Sequence, residues 1–158
     1  MEKQLLERAN KEKEVRKLRL PKRFVCVNPG DLLKEKCECI CNSIRSPVRD
    51  GFDGEIGGCI VKACGKRIID ECFNEACSNF GNVDGSIPVG KFVSTTACDA
   101  EDIKFVIHCV CPAFDDTNSE ETLTELIKDV IEFCDKNKVE SISIPPMSSG
   151  IHGFPLEN

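Results

Sequence analysis

No apolar run in this sequence approaches the ~20 residues that a membrane-spanning helix requires. Its opening stretch, MEKQLLERANKEKEVRKLRL, is too charged for the apolar segment of a secretory leader. Positive charge is in short supply as well. The formal net charge of -6 argues against general, charge-driven binding to nucleic acid. It leaves room for an anionic ligand, because backbone N–H groups bind phosphate without basic side chains. A C-x-x-C pair, the commonest zinc spacing, is also missing.

What is present is enough chain for one domain: 158 residues, 41% hydrophobic and 30% charged, the balance of a soluble globular protein. Cysteine is plentiful, at 12 residues. An even count points to a disulfide framework only in a secretory setting. Cys37, Cys39 and Cys41 alternate with Glu38, Ile40 and Asn42, so on a strand the three sulfurs share one face. The expected role is that of a small buried apolar residue, with zinc or disulfides as alternatives and no metal assigned. A reducing compartment, cytosol or nucleus, follows.

Residues 1–20 read as a charged N-terminal helix or extension, helical over 1–17 and stopped by Pro21. Residues 21–158 read as one domain. RFVCV (23–27) is a short strand running into the turn signal Asn28-Pro29-Gly30-Asp31. CECICNS is a second strand, followed by a polar loop over residues 46–58. Helical spacing then runs from Gly58 to Phe80, through Ile60, Val61, Cys64, Ile68, Ile69, Cys72, Phe73 and Ala76. After a turn at residues 81–90, KFVSTTA is a strand, and IKFVIHCVCP has the continuous apolar character of a strand covered on both faces. Ser119 caps a helix over residues 119–137, with Leu123, Leu126, Ile127, Val130, Ile131 and Cys134 as its apolar stripe. VESISIPP is the last strand. Strands alternating with helices predict an α/β fold with a largely parallel sheet, and ligands in such sheets sit outside the carboxyl ends of the strands.

Three loops therefore share one edge: residues 29–31, 46–58 and 148–154. Small residues in two of them let backbone amides approach an anion. The helix near Gly58 adds a favourable dipole, and Asp31 adds a carboxylate able to accept from a base or amine. The residues themselves leave bland readings open. Asp31 and Asn42 also suit turns, His108 suits a core position, and His152 suits a surface loop. Ser94, Thr95 and Thr96 are expected to satisfy strand-end backbone groups.

NPGDLL, ICNS, GGCIVKACG, KFVIHCVCP and SIPPMSSGIHGFP occur in an order and at spacings that resemble the macro domain, an ADP-ribose-binding family. The resemblance spans residues 22–158 and is most specific in FVIHCVCP and SSGIHGFP. It implies a three-layer α/β/α fold with ADP-ribose as ligand and no cofactor. It also implies that Asp31 accepts from the adenine amino group, with Leu32 a neighbouring backbone contact, and that Asn42 lies near the terminal ribose. Gly57 and Gly58 then belong to a first glycine-rich loop. Ser148, Ser149, Gly150, Ile151, His152, Gly153 and Phe154 form a second loop around the diphosphate, with His152 where the family usually has an aromatic ring over the ribose.

Members of that family that hydrolyse ADP-ribose from proteins typically carry a second asparagine and an aspartate by the first loop. Here Arg45 and Gly57 fall at those places. Asn42 is the one catalytic candidate. Asp50 and Asp53 serve as a general base only if the loop folds back. The expectation is a reader of ADP-ribose or ADP-ribosylated proteins. An ADP-ribosyl hydrolase and a degenerate scaffold acting through protein contacts are the alternatives. The resemblance also implies a further helix and strand after the second loop, so a C-terminal truncation is expected. With it go an uncovered apolar face open to self-association and a mobile second loop.

Overall fold

The computed structural model describes residues 18–20, 23–25, 29–148, 152, 153 and 155. The helix expected over residues 1–17 lies outside them, as do Ser149, Gly150, Ile151 and Phe154 of the second loop. The chain divides into two compact units, Met1–Asp31 and Leu32–Asn158. In the first, β1 (Leu18–Leu20) and β2 (Arg23–Val25) pair antiparallel.

The second unit holds β3 (Cys39–Ser43), β4 (Lys91–Thr95), β5 (Phe105–Val110) and β6 (Ile142–Ser143), joined in one sheet in the order β4-β5-β3-β6. β3 runs parallel to β5 and β6, while β4 is antiparallel to β5. The mixed, largely parallel sheet read from the sequence is borne out. Val106 to Val110 are all buried, as the unbroken apolar run requires of a strand with helices on both faces.

Among the described residues three helices cover this sheet: α1 (Glu55–Cys64), α2 (Arg67–Phe80) and α3 (Ser119–Lys136). On one face Ile40, Val93, Val106 and Val110 pack with Ile60 and Cys64 of α1 and Ile68, Cys72 and Ala76 of α2. On the other, Cys39, Cys41, Ile107, Cys109 and Cys111 pack with Leu126, Val130 and Cys134 of α3. The three layers follow from the two-residue alternation of β3 and β5 set against the helical stripes. Phe133 adds edge-on contacts to Phe92 and Phe105, with centroids 5.8 and 5.5 Å away.

Several expectations need correction. Cys37 does not share a face with Cys39 and Cys41. It precedes β3 and packs against the opposite cluster. The helix expected from Gly58 to Phe80 is two helices, parted at Gly65, whose φ of +83 breaks the first. α1 also begins earlier, at Glu55, because Gly57 and Gly58 disguise its first turn with poor helix formers. Ser119 is the first residue of α3 rather than its cap. Asn118 takes that place, and the Ser119 hydroxyl donates instead to the Phe114 carbonyl at 2.8 Å. Ile131 is exposed, which narrows the stripe to Leu126, Val130 and Cys134 with Leu123 and Ile127 at its margins.

Candidate functional site

Because β3, β5 and β6 are parallel, their carboxyl ends lie on one edge of the sheet, and the loops leaving them gather there. The loop after β3 is pinned from below by Ile44, Val48 and Phe52, all buried in the core that faces α1 and α2. Its flank is tied to a neighbouring turn: Ser46 Oγ accepts from the Ile87 amide at 3.0 Å, and the Val48 amide donates to the Gly85 carbonyl at 3.1 Å. That turn is closed by Asn82, whose Oδ1 accepts from the amides of Gly85 and Ser86.

At the far end of this loop α1 begins, with Gly54 as its cap. The Gly58 amide is the first to bond within the helix, to the Gly54 carbonyl at 2.8 Å. The N–H groups of residues 54–57 therefore have no intrahelical acceptor, and the helix dipole adds about half a positive charge at this end. Gly57 and Gly58 stand in the first turn of α1 and not in the loop. A side chain at Gly57 would press on the Phe52 backbone at 3.0 Å, whereas Gly58 faces open space. The acidic residues of the loop are partly offset. Arg45 forms an ion pair with Asp53 and donates to the Asp50 carbonyl at 3.3 Å. Asp53, a general-base candidate from the sequence, is engaged in that pair.

Asn42, near the end of β3, has no exposed surface. Strand register sets it beside His108 of β5, and His108 beside Val93 of β4. The Asn42 amide nitrogen lies 3.2 Å from His108 Nδ1, and the Thr95 hydroxyl lies 2.9 Å from His108 Nε2. Phe52 rests against the imidazole, with ring centroids 5.2 Å apart. Burial lowers the His108 pKa to about 3, so the ring is neutral in ordinary buffers. Asn42 Oδ1 has no hydrogen-bond partner among the described residues.

The loop after β6 is fastened to the exit of β5. Buried Ser148, with φ +60, donates from its hydroxyl to the Pro112 carbonyl at 2.8 Å. The Phe114 amide donates to the His152 carbonyl at 2.7 Å, and Gly153 has φ +77. Ser43 at the end of β3 donates to Cys111 Sγ at 3.6 Å. The ends of three strands are thus linked by side chains.

Of the residues singled out in the sequence, Asn42, Ser148, His152 and Gly153 belong to these strand ends and their loops, and Gly57 and Gly58 to the helix start that follows the first loop. Leu32 opens the second unit in a short 3-10 turn, Leu32–Lys34, and packs against the α1/α2 core. Asp31 is exposed and closes the first unit. Sequence reasoning assigns Thr95 only a backbone role, whereas its hydroxyl reaches His108. His108 is the core histidine expected from its apolar run, and it also bonds Asn42, a contact no sequence motif marks. Register alone makes these contacts, and register is not written in any local pattern.

A sequence profile described as Macro domain matches residues 41–158. The chain is 32% identical over 137 residues to O-acetyl-ADP-ribose deacetylase 1 of Pantoea vagans, covering 84% of this chain and 74% of that protein. Among solved structures it resembles the Oceanobacillus iheyensis macrodomain with ADP, at a TM-score of 0.77 and 27% identity over 88% of this chain and 72% of that one. A mutant of the same macrodomain with ADPR matches at a TM-score of 0.76 and 27% identity, over 88% and 73%.

Proposed function

The chain belongs to the macro domain family, and from that premise we propose that it reads ADP-ribose, free or carried on proteins, at the carboxyl edge of its sheet. The observation that carries this reading is the gathering, at the ends of β3, β5 and β6, of an anion-favouring helix start, a buried amide whose Oδ1 has no partner among the described residues, and Ser148 hydrogen-bonded to the exit of β5. In this reading the diphosphate lies between the start of α1 and the loop at Ser148. The terminal ribose lies toward Asn42. A relative of the same fold that holds ADP supports it. Calorimetric titration with ADP-ribose is the test. Saturable heat is expected, and its absence at ligand well above protein concentration would leave a macro-like scaffold working through protein contacts, self-association included. Cytosol or nucleus is the proposed location, checked by cell fractionation, and the free cysteines among the described residues support it.

A hydrolase is the second reading, favoured by similarity to a protein named as a deacetylase. The site offers it little. Arg45 is engaged with Asp53, Gly57 has no side chain, and both ring nitrogens of His108 are in hydrogen bonds. A general base needs a free lone pair within reach of the attacking water. We expect no release of ADP-ribose from mono-ADP-ribosylated protein. Release that Asn42→Ala abolishes would reverse the ranking.

A further inference from the structure

We infer that His108 and Thr95 are positioning residues for Asn42, fixing its side-chain amide so that the carbonyl oxygen, and not the amino group, is offered to the terminal ribose of the ligand. The inference rests on the ADP-ribose reading of this site and adds to it the device that aims the asparagine.

Hydrogen-bond bookkeeping leads there. An amide nitrogen only donates, so the 3.2 Å contact makes His108 Nδ1 an acceptor. The neutral ring then carries its one proton on Nε2, which donates to Thr95 Oγ1 at 2.9 Å. Amide orientation and imidazole tautomer are thus a single choice. Turning the amide over would need the proton on Nδ1, with Thr95 donating to Nε2, and would present an amino group to the ligand. Burial keeps the ring from taking a second proton, which would remove the acceptor that Asn42 uses.

The second observation is the orphaned oxygen. Among the described residues, Asn42 Oδ1 is the buried side-chain polar atom without a partner. Leaving a buried acceptor unpaired forfeits its hydration with nothing in return, and structures rarely accept that cost without a use for it. A ribose hydroxyl donating to Oδ1 would remove the penalty. Because Oδ1 is fully covered, the hydroxyl arrives only as covering residues give way.

The test titrates ADP-ribose and ADP in parallel, since ADP lacks the terminal ribose. His108→Leu fills the space but removes the acceptor, and it should weaken ADP-ribose about tenfold while leaving ADP within roughly twofold. His108→Gln should restore most of the loss, because its carboxamide can accept from Asn42 and donate to Thr95. Thr95→Val should weaken ADP-ribose in the same selective way and serves if His108→Leu does not fold. Equal losses for both ligands would mean a merely structural histidine and overturn the inference alone. Binding of neither ligand by the unsubstituted chain would overturn the ADP-ribose reading and the role of Oδ1 with it. Independently of any ligand, nitrogen NMR of the intact protein should show His108 protonated on Nε2. Protonation on Nδ1 would overturn the inference.

Discussion

A histidine sealed from water folds neutral and unfolds into solvent where it can take a proton. His108 has its pKa lowered to about 3 by burial, against about 6.5 for an unfolded histidine. Between those values the unfolded chain binds a proton that the native chain refuses, so stability rises with pH through this window and is flat above it. At pH 5 the loss relative to neutral pH should be about 2 kcal/mol from this residue. Denaturation midpoints of the parent and His108→Gln measured from pH 7 to pH 5 would show it, with the smaller decline expected in the variant. An equal decline would mean that carboxylates alone set the slope. Asn42 was legible as a site residue because a motif marked it, and His108 as a core residue because its apolar neighbours did. Their pairing was not legible, since sixty-six residues separate them and only sheet register brings them together.

At the scale of elements, the first turn of α1 separates two glycines that look alike in sequence. Gly57→Ala drives a methyl group onto the Phe52 backbone, which cannot yield as a flexible side chain would. A cost of about 1–3 kcal/mol is expected, together with weaker ADP-ribose binding as the start of α1 shifts. Gly58→Ala meets nothing and should stabilise by about 0.5–1 kcal/mol, since alanine suits a helix better. Urea midpoints of the two variants should move in opposite directions, and a shared direction would contradict this packing. Arg45→Ala tests the loop's charge balance. Both partners are largely exposed, so stability should change by less than about 1 kcal/mol. Anion binding should weaken more noticeably at low salt, because an unpaired Asp53 then stands next to the cap of α1. These distinctions could not be read from the sequence. Helical periodicity there began only at Gly58, and nothing local says which neighbour a glycine's hydrogen will face.

The second unit as a whole is legible where burial is two-sided. The run from Val106 to Val110 and the stripe of α3 announce a covered strand and its cover, and both are present, the stripe without Ile131. Leu126 is fully buried at the centre of that contact, and Leu126→Ala should cost about 2–5 kcal/mol by chemical denaturation.

The many cysteines give this architecture one more property. Cys39, Cys41, Cys109, Cys111 and Cys134 lie in the layer under α3, while Cys64 and Cys72 lie in the layer under α1 and α2. Burial pushes the Cys39 thiol up, Cys64 to about 11 and Cys72 to about 12, so each is both shielded and unreactive. Exposed Cys59 is open to a thiol reagent without any unfolding. In mild denaturant the protein therefore carries its own recorder. The order in which the shielded sulfurs are alkylated, read by peptide mass spectrometry, reports which side of the sheet comes apart first.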